Sequence, residues 1–140
     1  MEGSYAGEVS PSQAWQALTD AKKAVLVDVR TLPEWTFVGV PDLSILDKEV
    51  VLLSWRMYPN MAVNGNFCEQ LAKVVPDKNS PVFFICRSGH RSMDAAIEFT
   101  RYGYEYCYNV TSGFEGDVDE NGHRGNRNGW KIANLPWGQN

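Results

Sequence analysis

Long hydrophobic runs are missing from this sequence: no stretch approaches the roughly 18 apolar residues that a membrane-crossing helix needs. The opening MEGSYAGEVS carries neither a basic leader region nor an apolar one, so a soluble, cytoplasmic protein with no membrane partner is expected. Excess basic charge is missing too. Thirteen Lys and Arg stand against 17 Asp and Glu, for a formal net charge of −4 and a pI near 5.1, which offers no global attraction to nucleic acid or anionic lipid. Any anion site must therefore be local, and no nucleic-acid partner is expected. Cysteine is scarce: Cys68, Cys86 and Cys107 are odd in number and widely spaced, with no C-x-x-C pair and no His at ligand spacing. That pattern argues against a disulfide scaffold and against a zinc site, and no cofactor or metal is expected. Internal repeats and low-complexity segments are also absent.

What is present fits one compact domain spanning 1–140, long enough to bury a core without covalent staples. Ser10-Pro11 reads as a helix cap followed by proline at the first helical position, with Ala14, Trp15, Ala17 and Leu18 recurring on one face. AVLVDV, Ala24 to Val29, is a short apolar run suited to a fully buried strand; VVLL, Val50 to Leu53, repeats the pattern weakly. Asn64 to Val75 fits a helix with Phe67, Cys68, Leu71 and Val74 or Val75 inward, stopped by Pro76. PVFFIC, Pro81 to Cys86, is the clearest buried strand, Arg91 to Tyr102 a helix ended by Gly103, and Tyr104 to Val110 another strand. From Thr111 to Gly129 the chain reads as loop, with a short segment at Trp130 to Asn134. Strands alternating with helices predict an α/β domain with a mainly parallel central sheet and helices on both faces. Ligands in such sheets bind outside the carboxyl ends of the strands, where both Asp28 and Cys86 fall.

The stretch FFICRSGHRS, Phe83 to Ser92, carries the chemistry. A tight turn entering a helix points successive backbone N–H groups inward, and the helix N-terminus adds roughly half a positive charge. Arg87 and Arg91 add formal charge nearby, and Gly89 permits a tight turn or a positive φ. Together these favour a thiolate on Cys86 and so a nucleophile at neutral pH. Cys68 and Cys107 read instead as small buried hydrophobes.

CRSGHRS, Cys86 to Ser92, resembles the active-site loop of single-domain rhodaneses, the sulfurtransferases, whose pattern is Cys-x-x-Gly-x-Arg followed by Ser or a small residue. VLVDVRTLPEW, Val25 to Trp35, resembles that family's strand ending in Asp-Val-Arg with an acidic-aromatic pair shortly after. GWKIANLPW near the end resembles its Trp-x-x-x-x-x-Pro closure, and the element order matches across nearly the whole chain. The resemblance implies a rhodanese-like fold. It further implies that Cys86 takes a sulfane sulfur from a small anionic donor such as thiosulfate, forms a persulfide, and passes the outer sulfur to cyanide, a thiol or a protein thiol. Backbone N–H groups of the loop Arg87, Ser88, Gly89, His90, Arg91 and Ser92 would cradle the persulfide. Arg87 and Arg91 would attract the donor, Arg91 would also anchor the loop, and Asp28 and Arg30 would brace it from the neighbouring strand end. Glu34 is expected to pair with Arg30 or a similar base, or else to be solvated. His90 is expected to tune the local field more than to act as a general acid.

Two other readings stay open. Cysteine phosphatases and arsenate reductases carry five residues between Cys and Arg, a cradle wide enough for a tetrahedral oxyanion; here four intervene, which suits a single sulfur better. A non-catalytic persulfide carrier or binding module is the other. The chain departs from the family pattern after Trp35: VGVPDLS, Val38 to Ser44, has no His where many members do, although Gly39 and Pro41 keep a turn. SWRMYPNMAVNGNF, Ser54 to Phe67, is long and aromatic, either core and lid packing or an apolar rim that selects the acceptor. DVDENGHRGNRN, Asp117 to Asn128, opens like a calcium loop but ends in Asn128 instead of a bidentate Glu, and reads as a turn-forming loop. Adding calcium is expected to leave the melting temperature unchanged; a calcium-dependent rise would assign that loop to the ion.

Overall fold

The computed structural model describes residues 4–139; the first three residues of the MEGSYAGEVS opening, and Asn140, lie outside the described residues. In chain order the elements are β1 (Gly7–Val9), α1 (Pro11–Asp20), β2 (Val25–Asp28), α2 (Leu32–Phe37), β3 (Val40–Pro41) and a short 3-10 turn (Ser44–Leu46). There follow β4 (Val51–Leu52), β5 (Arg56–Met57), β6 (Ala62–Val63), α3 (Phe67–Val74), β7 (Val82–Ile85), α4 (His90–Arg101), β8 (Cys107–Val110) and β9 (Trp137–Gly138). Five strands form one parallel sheet in the order β1-β8-β7-β2-β4, while β3 pairs with β9 and β5 with β6 as short antiparallel ladders. This is the expected α/β architecture.

The central strands are apolar at nearly every position because both sheet faces are covered, and side chains alternate between them. Val27, Val82, Phe84, Cys86 and Cys107 pack with Phe67 and Leu71 of α3 and with Ala95, Ala96 and Phe99 of α4. Leu26, Phe83, Ile85 and Val110 point the other way, against Ala14 and Leu18 of α1, Phe114 and Trp130. Helix α1 starts where Ser10-Pro11 predicts: Ser10 Oγ accepts from Gln13 N at 3.1 Å, and Gln13 Oε1 accepts from Ser10 N at 2.8 Å. At its far end, Lys48 Nζ donates to the carbonyls of Leu18, Ala21 and Ala24, each at 2.8 Å.

Several boundaries differ from the sequence reading. Cys68, expected inward, is only half-buried, and of the pair Val74 and Val75 it is Val75 that turns inward after α3. The strand expected from Tyr104 begins at Cys107. Gly103 turns the chain at φ +116° and Tyr104 folds into the core instead, stacked on Phe99 at 3.8 Å with its hydroxyl donating to the Val75 carbonyl. Strand β1 and helix α2 were not anticipated, because three and six residues are too few for a periodicity to register. Trp130 is fully buried and donates from Nε1 to the Pro136 carbonyl at 2.7 Å, so the closing GWKIANLPW segment folds back on itself. Among the described residues no helix is long and apolar enough to cross a membrane.

Phe84 is the keystone of the face shared with α3 and α4, fully buried between Phe67 at 6.2 Å and Phe99 at 6.0 Å. Phe84→Ala is expected to lower stability by about 3–5 kcal/mol in urea unfolding; a loss below about 1 kcal/mol would show that this face collapses onto the gap.

Candidate active site

Strand β7 delivers Cys86 to the carboxyl edge of the sheet, and α4 starts four residues later at His90. Between them the chain must reverse within Arg87, Ser88 and Gly89, and Gly89 takes φ +111° to do so. That turn aims two backbone donors at one buried sulfur: Gly89 N lies 3.1 Å and Ser92 N 3.4 Å from Cys86 Sγ. Ser92 Oγ sits 3.2 Å from the same atom. Ser92 is the third residue of α4, so its N–H is one of the donors that a helix start leaves without an intrahelical partner. Arg87 and His90 are exposed at the rim, and Ser88 is half-buried.

Arg91 forks onto Glu34 of α2, Nη1 to Oε1 at 2.7 Å and Nη2 to Oε2 at 2.9 Å. Glu34 Oε1 also accepts from Thr31 N and Thr31 Oγ1. Glu34 thus pairs with Arg91, not with Arg30. Burial alone would push the Glu34 carboxyl up, but the hydrogen bonds and charge of Arg91, with the Thr31 donors, bring it down from 4.5 to about 2. Burial likewise works against the Arg91 charge, and is outweighed first by Glu34 and then by attraction to Cys86 and Asp28.

Arg30 and Asp28 are both fully buried and joined to each other: Arg30 Nε and Nη2 reach the Asp28 carboxylate at 2.9 and 2.7 Å. Arg30 Nη2 also donates to the Gly39 carbonyl at 2.6 Å, and its guanidinium lies 4.3 Å from the centre of the Phe114 ring. In the sheet register Asp28 is paired with Ile85, so it faces the α1 side, opposite to Cys86. Any support that it gives the cysteine loop is therefore indirect. Phe114, held under Arg30, donates its N–H to the Cys86 carbonyl at 2.8 Å, while Glu115 N and Gly116 N both reach the Arg87 carbonyl at 3.1 Å. Gly113 makes this approach possible, because a Cβ there would lie 2.6 Å from the Arg87 oxygen.

The sequence reading missed this clamp at Gly113 to Gly116, treating it as loop, and missed Asn109 on β8. Asn109 Oδ1 accepts from Ser92 Oγ at 2.5 Å, and Asn109 Nδ2 donates to the Gly89 carbonyl at 3.1 Å and to Glu8 Oε2 at 3.3 Å. A usable signal existed: Asn109 stands near the carboxyl end of a predicted strand, the criterion that selected Asp28 and Cys86. The other two thiols are quiet, since burial pushes both Cys68 and Cys107 up to about 11. In the segment 117–128 the Asp119 carboxylate accepts from Asn121 N, His123 N and Asn126 Nδ2, the pattern of a self-tied turn. Trp55 of the aromatic segment is core, edge-on to Phe67 at 5.2 Å, whereas Met57, Tyr58, Met61 and Val63 are exposed.

Comparison with known proteins gives a consistent picture. A model of the rhodanese-like domain matches residues 10–120. A protein of Rickettsia conorii described as uncharacterized is 40% identical over 92% of this chain and 94% of its own length. The crystal structure of Rv0390 from M. tuberculosis superposes with a TM-score of 0.89 at 49% identity, covering 98% of this chain and all of that one. The thiosulfate sulfurtransferase GlpE of Actinobacillus pleuropneumoniae is 26% identical over 92% of this chain and 90% of its own length.

Because Glu34 is held below its unfolded value, its contribution to stability is complete above about pH 4.5 and is lost as pH falls toward about 2. Glu34→Gln is expected to flatten the acid limb of a plot of melting temperature against pH in that window. An unchanged limb would show that the Arg91 pair does not hold in solution.

Proposed function

This chain belongs to the rhodanese-like domain family, and we propose that it moves a sulfane sulfur from a donor such as thiosulfate to a nucleophilic acceptor through a persulfide on Cys86. The observation that carries this reading is the convergence of Gly89 N, Ser92 N and Ser92 Oγ on a single buried sulfur at the start of α4. Likeness to the thiosulfate sulfurtransferase GlpE supports the same role, and residues 1–140 are read as one rhodanese-like domain.

In the first step Cys86 attacks as the thiolate. Its lone pair forms the Sγ–S bond to the outer sulfur of thiosulfate while the donor S–S bond breaks, and sulfite leaves with that bonding pair. Negative charge then rests on the outer sulfur. Gly89 N and Ser92 N already meet Sγ, so the reading assigns the remaining loop N–H groups, of Arg87, Ser88, His90 and Arg91, to the outer atom. Arg87 is the exposed cation that meets the anionic donor, since the Arg91 fork is engaged by Glu34. In the second step the acceptor, cyanide or a thiolate, attacks the outer sulfur, the Sγ–S bond breaks, and the Cys86 thiolate is restored. With cyanide the product is thiocyanate. Asp28, Arg30 and Glu34 serve as supports of the loop, not as reacting groups.

Intact mass spectrometry after incubation with thiosulfate is expected to show one added sulfur, removed by cyanide and absent in Cys86→Ser. An adduct that persists in Cys86→Ser would overturn the reading. So would turnover of a phosphate ester or arsenate by a wild-type protein that takes up no sulfur.

A further inference from the structure

The Ser92 hydroxyl has one proton and two acceptors that want it. Asn109 Oδ1 takes it at 2.5 Å, and Cys86 Sγ lies 3.2 Å away on the other side. The Asn109 amide cannot turn round to relieve the conflict, because its Nδ2 faces two acceptors, the Gly89 carbonyl at 3.1 Å and Glu8 Oε2 at 3.3 Å. All three groups are buried, Cys86 at 1%, Ser92 at 0% and Asn109 at 2% exposure, so the Ser92 hydroxyl is a donor shared between Asn109 and the sulfur. While Cys86 is a thiol the arrangement is satisfied, with Cys86 S–H donating to Ser92 Oγ and Ser92 O–H donating to Asn109 Oδ1.

Ionisation breaks that order. The thiol proton leaves for solvent, Sγ becomes an acceptor only, and the Ser92 hydroxyl must either turn to Sγ and strand the Asn109 carbonyl or stay and present a lone pair to an anion. Resting on the reading of Cys86 as the nucleophile, we propose that Asn109 is a positioning residue that competes with Cys86 for the single Ser92 hydroxyl proton and thereby sets the pH at which the thiolate forms. In the persulfide the charge sits on the outer sulfur, so the hydroxyl returns to Asn109. The Ser92 rotor then changes partner twice per turnover.

Other charges bear on Cys86 as well: Arg91 of α4, paired with Glu34 of α2; the Asp28 and Arg30 pair at the end of β2; Arg87 and His90 at the loop rim; and Glu8 of β1 through Asn109. None of these depends on the Ser92 hydroxyl, which lets the competition be isolated. The Asn109 side also borders a cavity of about 270 Å³ lined by Glu8, Gly89, His90 and Met93, so substitutions there meet open space.

The test is the pH profile of iodoacetamide alkylation, followed by mass on the Cys86 peptide, for wild type, Asn109→Ala, Ser92→Ala and the double variant. Asn109→Ala is expected to move the profile midpoint down by about 0.4 to 1 pH unit, the worth of one hydrogen bond, because the hydroxyl is freed for sulfur. In the Ser92→Ala background the same change is expected to leave the midpoint where it was. An equal shift in both backgrounds would show that Asn109 acts only by holding Gly89, and no shift or an upward one in the wild-type background would equally overturn the proposal. If Asn109→Ala does not fold, Asn109→Leu, which fills the site without an acceptor, carries the same readings. The alkylation requires no sulfur donor. Failure of the thiosulfate adduct and failure of the midpoint shift are thus separate results.

Discussion

Two backbone N–H groups pointing at one buried sulfur are the arrangement on which the rest of the site depends. Cys86 is buried at the end of β7, so the donors that a sulfur anion there would need come from the turn itself and from the first turn of α4. For both to reach the same atom, Gly89 must adopt a conformation that side-chained residues rarely take, and α4 must start at once. The loop is then fixed from three directions. Arg91 ties its helical end to α2, the segment Phe114 to Gly116 holds the carbonyls of Cys86 and Arg87, and Asn109 holds the carbonyl of Gly89.

The buried Asp28 and Arg30 pair belongs to the same scheme at one remove. Removing either partner alone would leave an uncompensated charge in the core, at a cost of about 3–5 kcal/mol, so the pair persists as a unit. It does not touch the sulfur. It fixes Gly39 and the Phe114 ring on the opposite face of the sheet, and the backbone of Phe114 carries that rigidity across to the cysteine loop. Any bracing of the loop by Asp28 and Arg30 would run through Phe114, while Glu34, expected to pair with Arg30 or a similar base, pairs with Arg91.

Local pattern made much of this legible. Ser10-Pro11 predicted the start of α1, the apolar runs at Val25 and Val82 predicted the two central strands, and Gly103 predicted the end of α4, because caps, burial periods and glycine turns act over a few residues. The Cys86 loop stood out for the same reason. Strand β1 and helix α2 did not, being too short to show a period.

What the sequence determined by itself is therefore the α/β order, the two-faced core and the placement of a thiol at a strand-to-helix turn. Only the tertiary structure decided the partners: Arg91 with Glu34, 57 residues apart, and Ser92 with Asn109, 17 apart. The physical reason lies in sheet register. Pairing Phe84 with Asn109 puts Asn109 on the Cys86 side under α4, and pairing Asp28 with Ile85 puts Asp28 on the other. A shift of one residue in either pairing would reverse the side, and no local motif encodes it.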